Sequence, residues 1–155
     1  MSVILCIMRH GHATGQGATA ALRPEGEEYV ARLARHLARG GLRPAAAFCS
    51  PYRRARETAR IVLDELASDA KLTLVRELVP ETGPASALEA LSGLGLPDGH
   101  VLVVSHLPLV AALSSVIADC VLDFQPGAYA EFDLSPDGAT GTLRRFIGPD
   151  ELAAG

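Results

Sequence analysis

The sequence contains no tryptophan and a single lysine, and aromatic residues make up only 5% of its 155 positions. Without large aromatic side chains the core has to be built from aliphatic residues, which agrees with a hydrophobic fraction of 48%. Because Lys71 is the only lysine, any site for phosphate or carboxylate groups must use arginine guanidinium or histidine imidazole groups. The scarcity of lysine therefore narrows the available chemistry before any motif is considered.

Cysteine is also scarce, since Cys6, Cys49 and Cys120 are far apart and form no CxxC pair. An odd, scattered set argues against a disulfide framework and against a zinc site. We expect Cys6 and Cys49, which lie in apolar runs, to be buried as small hydrophobic residues. The first apolar run, residues 3–8, is too short for a secretory signal, and no stretch reaches membrane-spanning length. These absences predict a cytoplasmic protein with no membrane partner.

Positive charge is in deficit: 14 Lys and Arg residues against 18 Asp and Glu residues give a net charge of −4. A mildly acidic chain is a poor candidate for binding nucleic acids or anionic membranes. The length is that of one ordinary domain, and a charged fraction of 21% is typical of globular proteins. We therefore expect residues 1–155 to form a single globular domain.

Strand and helix patterns alternate along most of the chain. Continuous apolar runs indicate strands buried on both faces, and apolar residues four apart indicate amphipathic helices. We predict strands over residues 3–8, 45–49, 72–75 and 101–104, helices over residues 24–39, 52–67, 84–91 and 108–118, a closing hairpin of residues 129–134 and 140–147, and a frayed tail over residues 153–155. This order predicts a three-layer α/β/α sandwich with a mainly parallel sheet.

Arginine and histidine follow three of the predicted strands. Residues 9–12 read Arg-His-Gly-His, residues 50–54 read Ser-Pro-Tyr-Arg-Arg, and residues 105–106 read Ser-His. Ligands of open α/β sheets bind outside the carboxyl ends of the strands. We therefore expect these three segments to meet at one ligand-binding edge.

The helix that follows Ser50 carries four arginines in its first half, which opposes the helix dipole. A bound anion would remove this conflict, because helix N-termini and guanidinium groups both favour phosphate. We expect Arg53 or Arg54 to bind phosphate, and Arg56 and Arg60 to form a solvated face.

Histidines next to such arginines have two interpretations. His10 and His12 have the spacing of a metal-binding pair, but Gly11 is expected to break the strand and no second group of ligands accompanies them, so a metal site is not favoured. The other interpretation is covalent phosphoryl transfer, in which arginines keep a histidine neutral and nucleophilic and neutralise the phosphoryl oxygens. This chemistry requires no metal and no organic cofactor. His36 and His100 have the setting of surface residues.

At these residues the sequence resembles the histidine phosphatase, or phosphoglycerate mutase-like, superfamily. The signature RHG corresponds to residues 9–11, the motif SPxxRAxxT to residues 50–58, the histidine after an apolar strand to His106 in VLVVSHLPLV, and the segment LTPxG to residues 22–26. The motif register identifies Arg54 rather than Arg53 as the phosphate-binding arginine. The sequence departs from the pattern at Arg23, which replaces the usual threonine and removes an expected N-cap, and at Ala20, which replaces an arginine.

Within the superfamily the chain most resembles the small bacterial phosphohistidine phosphatases of the SixA type, through RHGxA, SHLPLV and its short length. The resemblance implies a phosphoglycerate mutase-like fold with no cap subdomain. It also implies an open groove that admits a phosphohistidine on the surface of a phosphocarrier or phosphorelay protein. A phosphatase for small phosphomonoesters, such as sugar or nucleotide phosphates, is the alternative, and a non-catalytic phosphate-binding module is the third.

The resemblance also assigns roles to individual residues. His10 is the expected nucleophile, which is transiently phosphorylated, and Arg9, Arg54 and His106 are expected to hold the phosphoryl oxygens. Further expected substrate contacts are Gly11, His12, Ser50 and Glu77. The general acid is left open between Glu77, Glu81, His12 and none of them. Phosphate or sulfate is an expected occupant of the site.

Overall fold

The computed structural model describes residues 2–154. The strands are β1 (Val3–Arg9), β2 (Pro44–Cys49), β3 (Leu72–Leu74), β4 (Gly99–Ser105), β5 (Tyr129–Leu134) and β6 (Gly141–Ile147). The helices are α1 (Pro24–Arg39), α2 (Arg53–Glu65), α3 (Pro84–Gly93), α4 (Leu109–Ala118) and α5 (Pro149–Ala154), with a single 3₁₀ turn at Arg76–Leu78. The strands form one sheet in the order β3-β2-β4-β1-β5-β6. Strands β1 to β4 pair in parallel, and β5 and β6 form the predicted antiparallel hairpin.

Strand β1 is central to the sheet and is covered on both faces. Its side chains alternate, so that Leu5 and Ile7 belong to one apolar cluster and Cys6 and Met8 to the other. This double burial explains why the strand is a continuous apolar run rather than an alternating one. Cys6 and Cys49 are both buried, as predicted.

Helices pack on both faces of the sheet. The apolar sides of α1 and α2 lie on the face that carries Cys6 and Met8, and those of α3 and α4 lie on the face that carries Leu5 and Ile7. The predicted three-layer α/β/α sandwich is therefore confirmed. The longest connection between elements, residues 10–23, contains no helix, and no helix within residues 2–154 is long and apolar enough to cross a membrane.

Two predictions about termini of elements have different outcomes. Arg23 occupies the N-cap of α1 and its side chain makes no capping bond, as expected from the loss of threonine. The predicted frayed tail is wrong for residues 153–154, which belong to α5, while Gly155 lies outside the described residues. Helix α5 forms because Pro149 suits a first helical position, Glu151 accepts a hydrogen bond from the Gly148 backbone at 2.6 Å, and Leu152 is buried.

The strand register brings the polar segments to one edge of the sheet. Arg9 at the end of β1 is paired with Ser105 at the end of β4, and Cys49 at the end of β2 is paired with Val104. The backbone continues this pairing beyond the strands, because the His10 N–H donates to the Ser105 carbonyl and the Ser50 N–H donates to the Val104 carbonyl, both at 3.0 Å. The predicted convergence of the three segments is therefore confirmed.

Substitution of Gly26 by alanine is expected to loosen this edge. Gly26 lies in α1 against the segment that carries His12, and a Cβ at Gly26 would come within 2.9 Å of the His12 backbone nitrogen. Because the added methyl group would displace backbone atoms, we expect Gly26→Ala to lower the free energy of unfolding by about 1–3 kcal/mol. The matched control is Gly93→Ala in α3, where a Cβ would meet nothing within 4 Å and should leave the stability equal or higher. Urea unfolding of the two variants measures this, and equal midpoints would contradict it.

Candidate active site

The edge formed by β1, β2 and β4 holds a pocket of about 500 Å³. Its walls are residues from the three predicted segments, from the loop after His10, and from the stretches around Pro80 and Pro126. The lining residues are Arg9, His10, His12, Ala13, Thr14, Gly15, Gln16, Arg54, Pro80, Glu81, His106, Leu107 and Pro126. The structure thus brings the four expected catalytic residues, Arg9, His10, Arg54 and His106, to a single pocket.

One hydrogen bond sets the proton position on His10. Its Nδ1 lies 2.7 Å from the Gly11 carbonyl oxygen, and the ring is 8% exposed. A carbonyl oxygen can only accept, so Nδ1 must carry the proton and Nε2 must keep its lone pair. The Arg54 Nε donates to that Nε2 at 3.2 Å. The lone pair of His10 is therefore directed towards the guanidinium that would hold a bound anion.

Arg54 lies in the first turn of α2, and several contacts fix its side chain. It is 5% exposed, its Nη1 donates to the Gly17 carbonyl at 2.7 Å, and its guanidinium lies 5.0 Å from the centre of the Tyr52 ring. The neighbouring Arg53 is exposed and pairs with Glu57 at 3.0 Å. Successive residues of a helix point about 100° apart, so only one of the two arginines can face the pocket. The structure places Arg54 there and leaves Arg56 and Arg60 exposed, as predicted.

Arg9 and His106 each present a buried nitrogen without a partner. Arg9 Nη1 donates to the Phe124 carbonyl at 2.8 Å, but its buried Nε has no hydrogen-bond partner among residues 2–154. The His106 Nδ1 is likewise buried and lacks a partner in this part of the chain. Buried polar atoms are normally paired, and both of these residues line the pocket, so the protein alone does not use their full hydrogen-bonding capacity.

Ser50 acts on His106 rather than on the pocket. It is fully buried and does not line the pocket, and its Oγ lies 2.8 Å from His106 Nε2. The Tyr52 N–H donates to the same Oγ at 3.1 Å. The ring of His106 then stands edge-on to His10, with 4.9 Å between centres. Ser50, which was expected to contact substrate, is therefore placed to orient His106 and not to line the pocket.

The acid–base properties of the two histidines follow from burial. The pKa of His10 lies at about 4 instead of 6.5: burial is the largest cause, the Gly11 hydrogen bond opposes it, and the Arg54 and Arg9 guanidinium groups lower the pKa further. The pKa of His106 lies at about 3, again mainly through burial, with additional lowering by His10 and the two arginines. The sequence argument named the arginines as the cause, whereas desolvation contributes most.

The two candidate carboxylates, Glu77 and Glu81, differ in their position relative to the pocket. Glu77 is half-buried in the 3₁₀ turn, in which Leu78 is the buried residue. Glu77 does not line the pocket. Glu81 lines the pocket and accepts a hydrogen bond from the Tyr52 hydroxyl at 3.0 Å. His12 is exposed and also lines the pocket. Of the two carboxylates, Glu81 therefore borders the pocket and Glu77 does not.

The backbone around Gly11 is held by a threonine that sequence reasoning did not single out. The Gly11 N–H donates to Thr58 Oγ1 at 3.0 Å, and this hydroxyl donates to the Arg54 carbonyl at 2.8 Å. A Cβ at Gly11 would lie 2.8 Å from Val30 Cγ2, so this close packing requires glycine. Gly11 thus positions His10 through its backbone. The signal for Thr58 was present as the last residue of the SPxxRAxxT motif.

The loop after His10 and residue Tyr52 were also missed. The loop is tied to α2 by two hydrogen bonds, from the Arg53 N–H to the Ala18 carbonyl and from the Leu22 N–H to Glu57, at 2.9 and 2.8 Å. Small, Gly-rich composition indicated a loop there but not its place on the pocket.

Across residues 2–154, no three His, Cys, Asp or Glu side chains are grouped so that they would hold a metal ion.

The comparisons with known proteins agree with this geometry. The family model of the histidine phosphatase superfamily (branch 1) matches residues 5–78, and no curated protein matches the sequence. The structure of the protein histidine phosphatase SixA complexed with tungstate is 28% identical, with a TM-score of 0.84 over 96% of this chain and 99% of that chain.

Two less similar structures share the fold. A candidate SixA phosphohistidine phosphatase from Nakamurella multipartitia is 21% identical, with a TM-score of 0.78 over 96% of this chain and 97% of that one. A phosphoglycerate mutase from Plasmodium falciparum is 20% identical, with a TM-score of 0.71 over 94% of this chain and 91% of that one. The first part of the chain thus matches the model of the histidine phosphatase superfamily (branch 1), and the whole chain shares its fold with the SixA and phosphoglycerate mutase structures.

Proposed function

We propose that this protein is a phosphatase that removes the phosphoryl group from phosphohistidine on a phosphocarrier or phosphorelay protein, through a phosphohistidine intermediate on His10. The observation that carries the proposal is the His10 ring, whose Nδ1 is committed to the Gly11 carbonyl while Nε2 keeps a lone pair beside Arg54. A neutral, oriented imidazole is a nucleophile that attacks phosphorus directly.

The cationic and unpaired groups of the pocket suit the oxygens of a phosphoryl group. Arg54 already donates to the reacting nitrogen, so an inserted phosphoryl group would meet its guanidinium. The orphaned Arg9 Nε is a donor that a phosphoryl oxygen would satisfy, and His106 Nδ1 is a second donor when the Ser50 hydroxyl donates to His106 Nε2. Phosphoryl transfer is catalysed mainly by positioning and by neutralising these oxygens, so we propose that the arginines fill the role that metal ions have in other phosphoryl-transfer enzymes.

The reaction would proceed in two steps, transfer of the phosphoryl group to His10 and its hydrolysis. In the first, His10 Nε2 bonds to phosphorus while the bond to the donor breaks, and the electron pair leaves with the donor nitrogen. In the second, water attacks phosphorus, the bond to His10 breaks, and inorganic phosphate leaves with neutral His10 restored. Between the steps, the same cationic groups hold the phosphoryl oxygens.

Phosphohistidine suits this site because the first step exchanges one phosphorus–imidazole bond for another of the same kind. An alkoxide leaving group would need a positioned acid, whereas imidazole leaves without one. The 28% identical SixA structure, a protein histidine phosphatase complexed with tungstate, supports both this substrate class and phosphate or sulfate as an occupant of the pocket.

A phosphatase for small phosphomonoesters is the second candidate. The Glu81 carboxylate on the pocket favours it, because such an acid is in the right region to protonate an alkoxide. A volume of about 500 Å³ also falls within the range of small-molecule sites.

Replacement of the nucleophile tests the covalent step. We expect His10→Ala to lower kcat on the order of 10³-fold or more, because nucleophile removal has such effects in other covalent enzymes. Rapid quenching of the unmodified protein with labelled substrate should trap acid-labile, alkali-stable phosphate on His10, as peptide mass spectrometry would show. The control is His36→Ala on α1, away from the pocket. Full activity of His10→Ala would overturn the mechanism, and no activity of the unmodified protein on any substrate would leave a phosphate-binding module.

Comparison of substrates separates the two enzyme candidates. We expect kcat/KM for a phosphocarrier protein phosphorylated on histidine to exceed that for sugar or nucleotide phosphates at least tenfold, a preference of about 1.4 kcal/mol. The reverse order, with sugar or nucleotide phosphates preferred, would support the small-molecule phosphatase.

The low pKa values of His10 and His106 predict a defined pH dependence. Nitrogen-detected NMR should show His10 titrating near pH 4 and His106 near pH 3, instead of near 6.5. In this range the unfolded chain binds protons that the folded protein excludes, so the free energy of unfolding should fall as the pH drops from 6.5 towards 4. Urea unfolding at pH 7 and pH 5 measures the fall. Titration of both rings near 6.5 would contradict the prediction.

A further inference from the structure

We infer that Glu81 is a substrate-specificity residue, which accepts a hydrogen bond from the far ring N–H of a phosphorylated imidazole and so selects phosphohistidine over phosphoesters. The inference rests on the proposed function and adds to it the group that recognises the leaving ring. The four residues assigned to the phosphoryl group (Arg9, His10, Arg54 and His106) do not account for recognition of the leaving imidazole ring.

The charges of the pocket set Glu81 apart. Among the described residues that line it, Glu81 is the only carboxylate, whereas the arginine and histidine side chains are Arg9, His10, His12, Arg54 and His106. A phosphoryl group satisfies cations and repels carboxylates. The carboxylate therefore serves no oxygen of the phosphoryl group, and it suits a part of the substrate that donates a hydrogen bond or carries positive charge.

Tyr52 connects the exposed Glu81 carboxylate to the cationic groups of the pocket. Its hydroxyl donates to Glu81 Oε1 at 3.0 Å, and its ring stands edge-on to His106 at 5.0 Å and below the Arg54 guanidinium at 5.0 Å. The hydrogen bond to Glu81 raises the pKa of Tyr52, which keeps the hydroxyl protonated as the donor. Because only Oε1 is engaged by this contact, Oε2 is available to a substrate group.

Phosphohistidine brings a group that matches this acceptor. When phosphorus occupies one ring nitrogen, the other can carry a proton, and the ring is then a cation. Cleavage of the phosphorus–nitrogen bond sends its electron pair into the ring, which leaves as neutral imidazole with the far N–H intact. Glu81 would favour the protonated ring, and hence the better leaving group, without itself giving or taking a proton.

A phosphoester reverses this preference. Its leaving oxygen gains negative charge as the bond to phosphorus breaks, and a neighbouring carboxylate opposes that charge. Glu81 would therefore assist an imidazole leaving group and give no help to an alkoxide or phenolate. This contrast distinguishes the inference from a general-acid role, in which a protonated Glu81 would assist alkoxide departure.

The test compares Glu81→Gln with the unmodified protein on three substrates: a histidine-phosphorylated peptide, p-nitrophenyl phosphate and glycerol phosphate. The substitution keeps the size of the side chain and removes the charge. We expect kcat/KM for the phosphohistidine peptide to fall about 10- to 100-fold, the range of a charge-assisted hydrogen bond. The values for p-nitrophenyl phosphate and glycerol phosphate should stay within about twofold or rise, because the carboxylate gives these leaving groups no help. Glu89→Gln, which changes an exposed carboxylate of α3 that does not line the pocket, is the matched control and should behave as the unmodified protein.

Two further readouts bear on the same contact. In Glu81→Gln the rate with phosphohistidine should rise as the pH falls from 8 to 6, more steeply than in the unmodified protein, because ring protonation then depends on the solution alone. Tyr52→Phe keeps the ring against His106 and loses only the hydroxyl bond to Glu81, and it should reduce the preference for phosphohistidine part of the way.

Each remaining outcome would overturn the inference. Equal losses on all three substrates would assign Glu81 to the cationic cluster or the fold, and a loss confined to glycerol phosphate would make it a general acid for esters. Unchanged kinetics would show no role. If His10→Ala keeps its activity, the proposed function fails as a whole. If His10 is required and phosphohistidine is used, while Glu81→Gln matches the unmodified protein, only the inference fails.

Discussion

The hydrogen bond between His10 Nδ1 and the Gly11 carbonyl oxygen sets the proton on one side of the ring and leaves the lone pair on the other. Several contacts around the pocket support this arrangement. Thr58 holds the Gly11 amide, Arg54 faces the free nitrogen, and the tight fit of Gly11 against Val30 prevents the loop from shifting. Burial then keeps the ring neutral. The chemistry proposed for the protein depends on this one nitrogen being unprotonated and directed towards Arg54.

The sheet supplies the rigidity that such an arrangement needs. Parallel pairing of β1 with β4 and of β4 with β2 brings Arg9, Ser50 and Ser105 to the same edge, so residues distant in sequence become neighbours. Both faces of these strands are covered by helices, which leaves the edge as the place where polar side chains meet solvent. The local conflict of arginines at the start of α2 is understandable in this setting, because Arg54 faces the pocket where an anion would neutralise it.

Most of the architecture could be predicted from local pattern. Apolar runs such as residues 3–8 and the stripe of α1 depend on burial, which composition and spacing record directly. The tail was mispredicted because α5 is only one and a half turns long and depends on the buried Leu152 and on the contact of Glu151 with Gly148. Ser50 and Glu77 were expected on the substrate, and both lie elsewhere, since a motif specifies which residues are near the site and not which way each side chain points.

The sequence by itself determined the alternation of strands and helices and the three polar segments at strand ends, because periodicity is a local property of the chain. Its motifs also placed His10, Arg9, Arg54 and His106 among the candidate site residues. The tertiary structure alone decided that Glu81 rather than Glu77 borders the pocket, that Ser50 supports His106, and that burial is the main cause of the low histidine pKa values. These depend on side-chain direction and on exclusion of water, which arise only when segments far apart in sequence pack together.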